Sequence, residues 1–179
     1  LPVVLDRITE MLIEQEELGI VFIDIEQLEA IEVEYGWAFF DELLCNVGQT
    51  ISAEASERFR NAMVTCHRTG GSSFYIFHET RGQDLSAENA SESIANDLRQ
   101  RLVETTRRRF PQVQSEQVGF FVGTTRIDYR PQIRLERQIY AGMRIAADAV
   151  RDAEQQRKKQ LTRELRDIIR RRRVTTLFQ

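Results

Sequence analysis

A chain of 179 residues, 41% hydrophobic and 30% charged, can bury one ordinary core, and it has no apolar run near the roughly 20 residues that a bilayer crossing needs. No signal-peptide pattern opens it, so a cytoplasmic domain with no membrane contact by this segment is expected. The net charge of −3 conceals an asymmetry, with nine basic and two acidic residues in 157–173 and an acidic remainder; no aromatic residue interleaves with the basic ones, so no nucleic-acid partner is expected.

In chain order, Leu5, Ile8 and Leu12 recur at helical spacing, which predicts a first helix ending near Gly19. Residues 19–25 form a short apolar run rich in β-branched side chains and read as a buried strand. Leu28, Ile31 and Tyr35 mark one face of a short helix stopped by Gly36, and Phe39, Phe40, Leu43, Leu44, Val47 and Ile51 stripe a longer one. Strands are predicted over 62–67 and 73–77, joined by Arg68-Thr69-Gly70-Gly71, where paired glycines permit a hairpin. A helix over 87–109 turns Ala90, Ile94, Leu98 and Leu102 inward, and a fourth strand covers 118–123. Ile139, Met143, Ala146, Ala149, Val150 and Ala153 give the last helix a face of small residues, and that helix is expected to continue to Arg173. Cys45 and Cys66 fall in apolar-periodic segments and are expected as buried free thiols. The order implies an α+β domain, a central and mainly antiparallel sheet flanked by helices, related to the split βαβ plan.

Several segments resemble a known family. The stretch from Phe22 through Asp24, Glu26, Glu32, Tyr35 and Gly36 to Trp37 is similar to the D-x-D-x-F-K-x-I-N-D-x-Y-G-H segment of GGDEF domains, the fold of diguanylate cyclases. Asp41 and Leu44 match its G-D-x-x-L, and Arg68-Thr69-Gly70-Gly71-Ser72-Ser73-Phe74 matches R-Y-G-G-D-E-F in register. Gly123 falls on the glycine of S-I-G, Ala146, Ala149 and Ala153 keep the spacing of the closing helix, and Leu1-Pro2 resembles the end of T-G-L-P-N-R. The resemblance implies a palm-like βααββαβ core over 1–157, followed in 158–179 by a basic linker helix. The stretch from Leu165-Arg166-Asp167-Ile168-Ile169 through Leu177-Phe178-Gln179 resembles the lead-in of an EAL phosphodiesterase domain, whose start is expected here. With Leu1 in place of Met, a piece of a longer protein is expected.

In this family a GTP 3′-hydroxyl attacks an α-phosphate, and divalent ions held by carboxylates carry the triphosphate. The resemblance places one such carboxylate at Asp24 and the others at the third and fourth positions of the hairpin, which here are Ser72 and Ser73. Neutral hydroxyls neither neutralise a dication nor act as bases near neutral pH. The expectation from sequence is therefore a chain that is not an enzyme, with no catalytic residues, no metal site and no cofactor. Gly70, Gly71, Ser72, Ser73 and Phe74 form its altered signature.

Residual nucleotide binding would fall to Asp24, Glu32, Asp41 and Lys158. Glu32 stands in place of the family's Asn in the guanine pocket, Asp41 is kept, and Lys158 matches a second basic position of the closing helix. Glu29 and Glu154 replace lysines and would repel a triphosphate. Each acid also has a bland reading: Glu32 and Asp41 as solvated helix acids, Asp24 as a strand-end or capping residue. Trp37, replacing a His, either fills part of the pocket or packs half-exposed, and Phe40 stands where the family has glycine. Asn61-Ala62-Met63-Val64 lacks both charges of the R-x-x-D product-inhibition site. The expected function is a catalytically inactive regulatory or dimerisation module that controls an adjoining EAL domain in the same chain, with a homodimer admitted. The alternative is a GTP-binding sensor without turnover, the one case in which GTP and Mg²⁺ would be ligands.

Overall fold

The computed structural model describes residues 2–26, 28–67, 73–80, 88–113 and 118–170. Along these run α1 (Pro2–Gln15), β1 (Glu17–Glu26), α2 (Leu28–Tyr35), α3 (Trp37–Arg58), β2 (Met63–His67), β3 (Ser73–His78), α4 (Glu88–Arg109), β4 (Gly119–Asp128) and α5 (Leu135–Arg170). The hairpin tip, 68–72, and the end of the chain, 171–179, lie outside the described residues.

The first helix stops four residues before Gly19. Glu16 adopts a left-handed φ of 62° that ends α1, and β1 starts at once. Gly19 is thus a strand residue, and its missing side chain makes room for a neighbour: a Cβ there would lie 2.3 Å from the ring of His78, its partner on β3. Gly36 does break the chain as expected. Its φ of 85° separates α2 from α3, a conformation glycine adopts without strain.

The sheet order is β2-β3-β1-β4, and every described pairing is antiparallel. β1 lies inside the sheet with both faces covered, so the alternation of a one-sided strand gives way to a continuous apolar run. Val21, Ile23 and Ile25 face α2, α3 and α4, packing with Ile31, Leu43 and Leu98. Ile20 and Phe22 face the other way, against Ile8 and Leu12 of α1 and Ile139 and Met143 of α5. Ala146 and Val150 join that second core, whereas Ala149 is exposed and the side chain of Ala153 is not described.

β4 extends to Asp128, well past the predicted end at 123, because its whole length pairs with β1 from Glu17 to Glu26. Cys45 and Cys66 are free thiols, but they are exposed, not buried. Cys45 sits two positions from both Leu43 and Val47, about 200° around α3 from each, and therefore points outward. Cys66 lies near the end of β2, an edge strand.

α5 spans 36 residues, about 54 Å at 1.5 Å per residue. Its first half packs on the sheet, and every described side chain after Val150 is exposed, including Leu165 and Ile169. The division between 157 and 158 falls within this helix.

Candidate functional site

The end of β1 organises the site. Asp24, half-buried, is the register partner of Ser73 on β3 and of Phe121 on β4. Residues directly opposite in an antiparallel pair project to the same face with Cβ atoms about 4.5–5.5 Å apart. The first-strand acid and the fourth hairpin position are therefore brought together as the family resemblance implies. Phe74 points to the opposite face and is 4% exposed, with its ring against Gly48 of α3. It is a core residue that fixes the start of β3. Gly70, Gly71 and Ser72 lie outside the described residues.

Two residues not anticipated from sequence join Asp24. Tyr75 stands two positions beyond Ser73 on the same strand, with its ring 4.9 Å from Phe22. Burial raises its phenol pKa above 10, the Arg151 cation on α5 pulls it down, and the Asp24 carboxylate pushes it up. The alternation of β3 would have placed Tyr75 beside Asp24, but its approach to Arg151 depends on how α5 crosses the sheet.

Glu32, half-buried on α2, and Asp41, exposed on α3, belong to helices that pack on the other face from Asp24. Trp37 stacks on Phe40 with centroids 5.6 Å apart and is 55% exposed, the position of a partly exposed packing residue. Lys158 lies on the outer half of α5, its side chain undescribed like those of Glu29 and Glu154. Among the described residues no group of three or more His, Cys, Asp or Glu side chains could hold a metal ion. At the strand end the Asp24 carboxylate faces the Ser73 hydroxyl, and the Glu26 carboxylate lies two residues further along the same face of β1.

Helices on both faces of a four-stranded antiparallel sheet, with an acid at the end of β1 beside a hairpin, define the nucleotidyl-cyclase palm class. The family model for the diguanylate cyclase GGDEF domain matches residues 5–160, and the chain belongs to that family. No curated protein matches the sequence. Among solved structures, the active GGEEF domain of a diguanylate cyclase from Vibrio cholerae superposes with a TM-score of 0.58 at 20% identity, covering 87% of this chain and 90% of that one. The GGDEF domain of DgcB from Caulobacter crescentus, in complex with c-di-GMP, gives 0.54 at 16% identity over 84% and 81%. Diguanylate cyclase SiaD from Pseudomonas aeruginosa, in complex with its activator SiaC, gives 0.56 at 20% identity over 87% and 54%. At these identities the likeness shows the fold.

The expectation that this chain is not an enzyme is corrected by these findings. Its family is that of diguanylate cyclases, the matched region includes the altered hairpin, and the fold is that of an active member. Two serines change the side chains at the tip, but the strand pairing that sets Asp24 beside position 73 is intact. The chain is a GGDEF domain of the cyclic di-GMP signalling class. No helix among the described residues is long and apolar enough to cross a membrane.

Proposed function

We propose that this GGDEF domain serves as a regulatory and dimerisation module in the cytoplasm, controlling an adjoining EAL phosphodiesterase domain through α5. The observation that carries this reading is the continuity of α5. One end is buried against β1 and β4, and the other continues as an exposed helix into the segment that resembles an EAL lead-in. A helix is a stiff connector, so a displacement at the sheet is carried to its far end. Exposed Leu165 and Ile169 offer a second copy an apolar contact. The test is the phosphodiesterase rate of the longer protein, with and without paired prolines at Gln160 and Thr162 in the exposed half of α5. A changed rate supports the relay, and an unchanged rate and oligomeric state reject it.

A second reading is favoured by the pairing of Asp24 with Ser73: the domain binds GTP and tunes its neighbour allosterically. Glu32 and Asp41 would accept hydrogen bonds from the guanine edge, and Lys158 would meet phosphate. Such tuning requires different GTP affinities in two states of the protein. Calorimetry with GTP, with and without Mg²⁺, decides it; absence of heat at millimolar nucleotide ends this reading.

A further inference from the structure

Glu17 pairs with Asp128 at the end of the sheet remote from Asp24, roughly 23 Å away at about 3.3 Å per residue. There a cleft of about 270 Å³ opens between the end of β4 and the start of α5. Its lining combines the apolar Ile127, Ile133, Gly142 and Ile145 with the charged Arg126, Arg130, Arg137 and Asp128. Arg126 is committed to Glu17 at 3.5 Å and Asp128 at 3.9 Å. The guanidinium groups of Arg130 and Arg137 enter no ion pair among the described residues, although each is exposed at the mouth of the cleft.

The cleft is held in shape from within. Gln138 is buried, and its side-chain Oε1 accepts the Arg130 N–H at 2.8 Å. Its Nε2 donates to the carbonyls of Arg130 at 2.9 Å and Ile133 at 2.7 Å. The turn carrying Arg130 is thus fixed to the helix carrying Arg137. This arrangement does nothing for the strand-end site at Asp24.

Size and charge choose the occupant. Pockets that enclose small organic ligands run from about 300 to 1,000 Å³, and this cleft is smaller and open. It has room for one large apolar side chain, and the exposed surface continues over Ile133, Tyr140 and Ile145 at 37%, 49% and 52%. Two unpaired guanidinium groups beside that seat call for carboxylates, which arginine binds in two-pronged fashion. A concave seat also fits a projecting side chain better than a flat lipid surface.

We propose that this cleft docks an acidic peptide segment of a partner protein. One aliphatic or aromatic anchor enters among Ile127, Ile133 and Ile145, and flanking carboxylates pair with Arg130 and Arg137.

The test is fluorescence anisotropy of the whole chain with labelled hexapeptides made of Asp and Glu around a central leucine, isoleucine, phenylalanine or tryptophan. Controls replace the acids with Asn and Gln, or the anchor with alanine. Saturable binding by at least one acidic, anchored peptide is expected. Either control peptide, or the exposed-site variant Arg137→Glu, Arg130→Glu or Ile145→Asp, should weaken it by about tenfold or more. Arg144→Glu, outside the cleft on the same helix, should leave it within about twofold, the range of a neutral rim contact. No saturation by any anchored peptide at millimolar protein overturns the proposal, as does equal binding by the amide or alanine controls. Binding to phosphatidylserine vesicles without binding to peptide would identify a lipid surface and overturn it too.

Discussion

Asp24 of β1 and Ser73 of β3 are direct register partners, with their side chains on the same face of the sheet. A carboxylate at 73 would therefore stand beside Asp24 without any change in the backbone. The variant Ser73→Glu is expected to tighten Mn²⁺ binding by about tenfold or more, equivalent to about 1.4 kcal/mol from one added charged ligand. Adding Asp24→Asn should abolish the gain. Isothermal titration of both variants and the parent chain measures it, and equal Mn²⁺ affinities would show that the two positions do not share an ion.

Gly123 marks where α5 crosses β4. A Cβ there would lie 2.5 Å from the Ala146 carbonyl oxygen and 2.7 Å from Val150 Cγ2. The oxygen belongs to helical backbone and cannot rotate away, so the helix itself must shift. Gly123→Ala is expected to cost about 1–3 kcal/mol, the range for overpacking a close contact. Urea unfolding monitored by circular dichroism provides the comparison.

Glu54 ties α3 to α4. Its buried carboxylate accepts from Arg58 Nε at 2.9 Å and Arg101 Nε at 3.0 Å. Removing the acid takes away the partner the two arginines share and leaves longer contacts, Arg58 to Asp97 at 3.6 Å and Arg101 to Glu104 at 3.8 Å. Because Arg101 is half-exposed, water recovers part of that loss, and Glu54→Ala should destabilise by about 1–3 kcal/mol, less than a fully buried pair would. Arg101→Ala should cost less than Glu54→Ala in the same urea assay; the reverse order would show that Glu54 is not the hub.

His78 is buried and stacks on Phe59 at 4.0 Å. Burial holds its pKa below 6.5, with the nearby Glu79 carbonyl acting in the opposite direction. The unfolded chain takes up the proton near pH 6.5, and the folded chain only at lower pH. Stability carried by neutral His78 is therefore complete above 6.5 and declines as pH falls toward the folded value. The gap in unfolding free energy between the parent and His78→Phe should narrow or reverse in this direction on acidification; a gap constant from pH 7.5 to 5 would exclude the effect.

The periodicities of α2, α3 and α4 and the apolar run of β1 were legible because each buries a face whose spacing is local. Boundaries were less so. Glu16 ends α1 through its backbone conformation, and Gly19, read as a helix stop, serves as clearance for His78 from a strand 59 residues later. The exposed thiols have the same cause: apolar periodicity marks a segment as packed without saying which of its positions turn outward.

At the site, the glycine pair made the β2–β3 hairpin legible, but that position 73 meets Asp24 was implied only by the family resemblance, because the β1–β3 pairing that sets them opposite joins strands nearly fifty residues apart. The approach of Arg151 to Tyr75 and the gathering of Arg126, Arg130 and Arg137 around one cleft had no such local signal. They arise where α5 crosses the sheet, a position set by the close contact at Gly123 and by two cores filling opposite faces of β1. Pattern along the chain specified the elements and the family; packing between distant elements decided which charges meet.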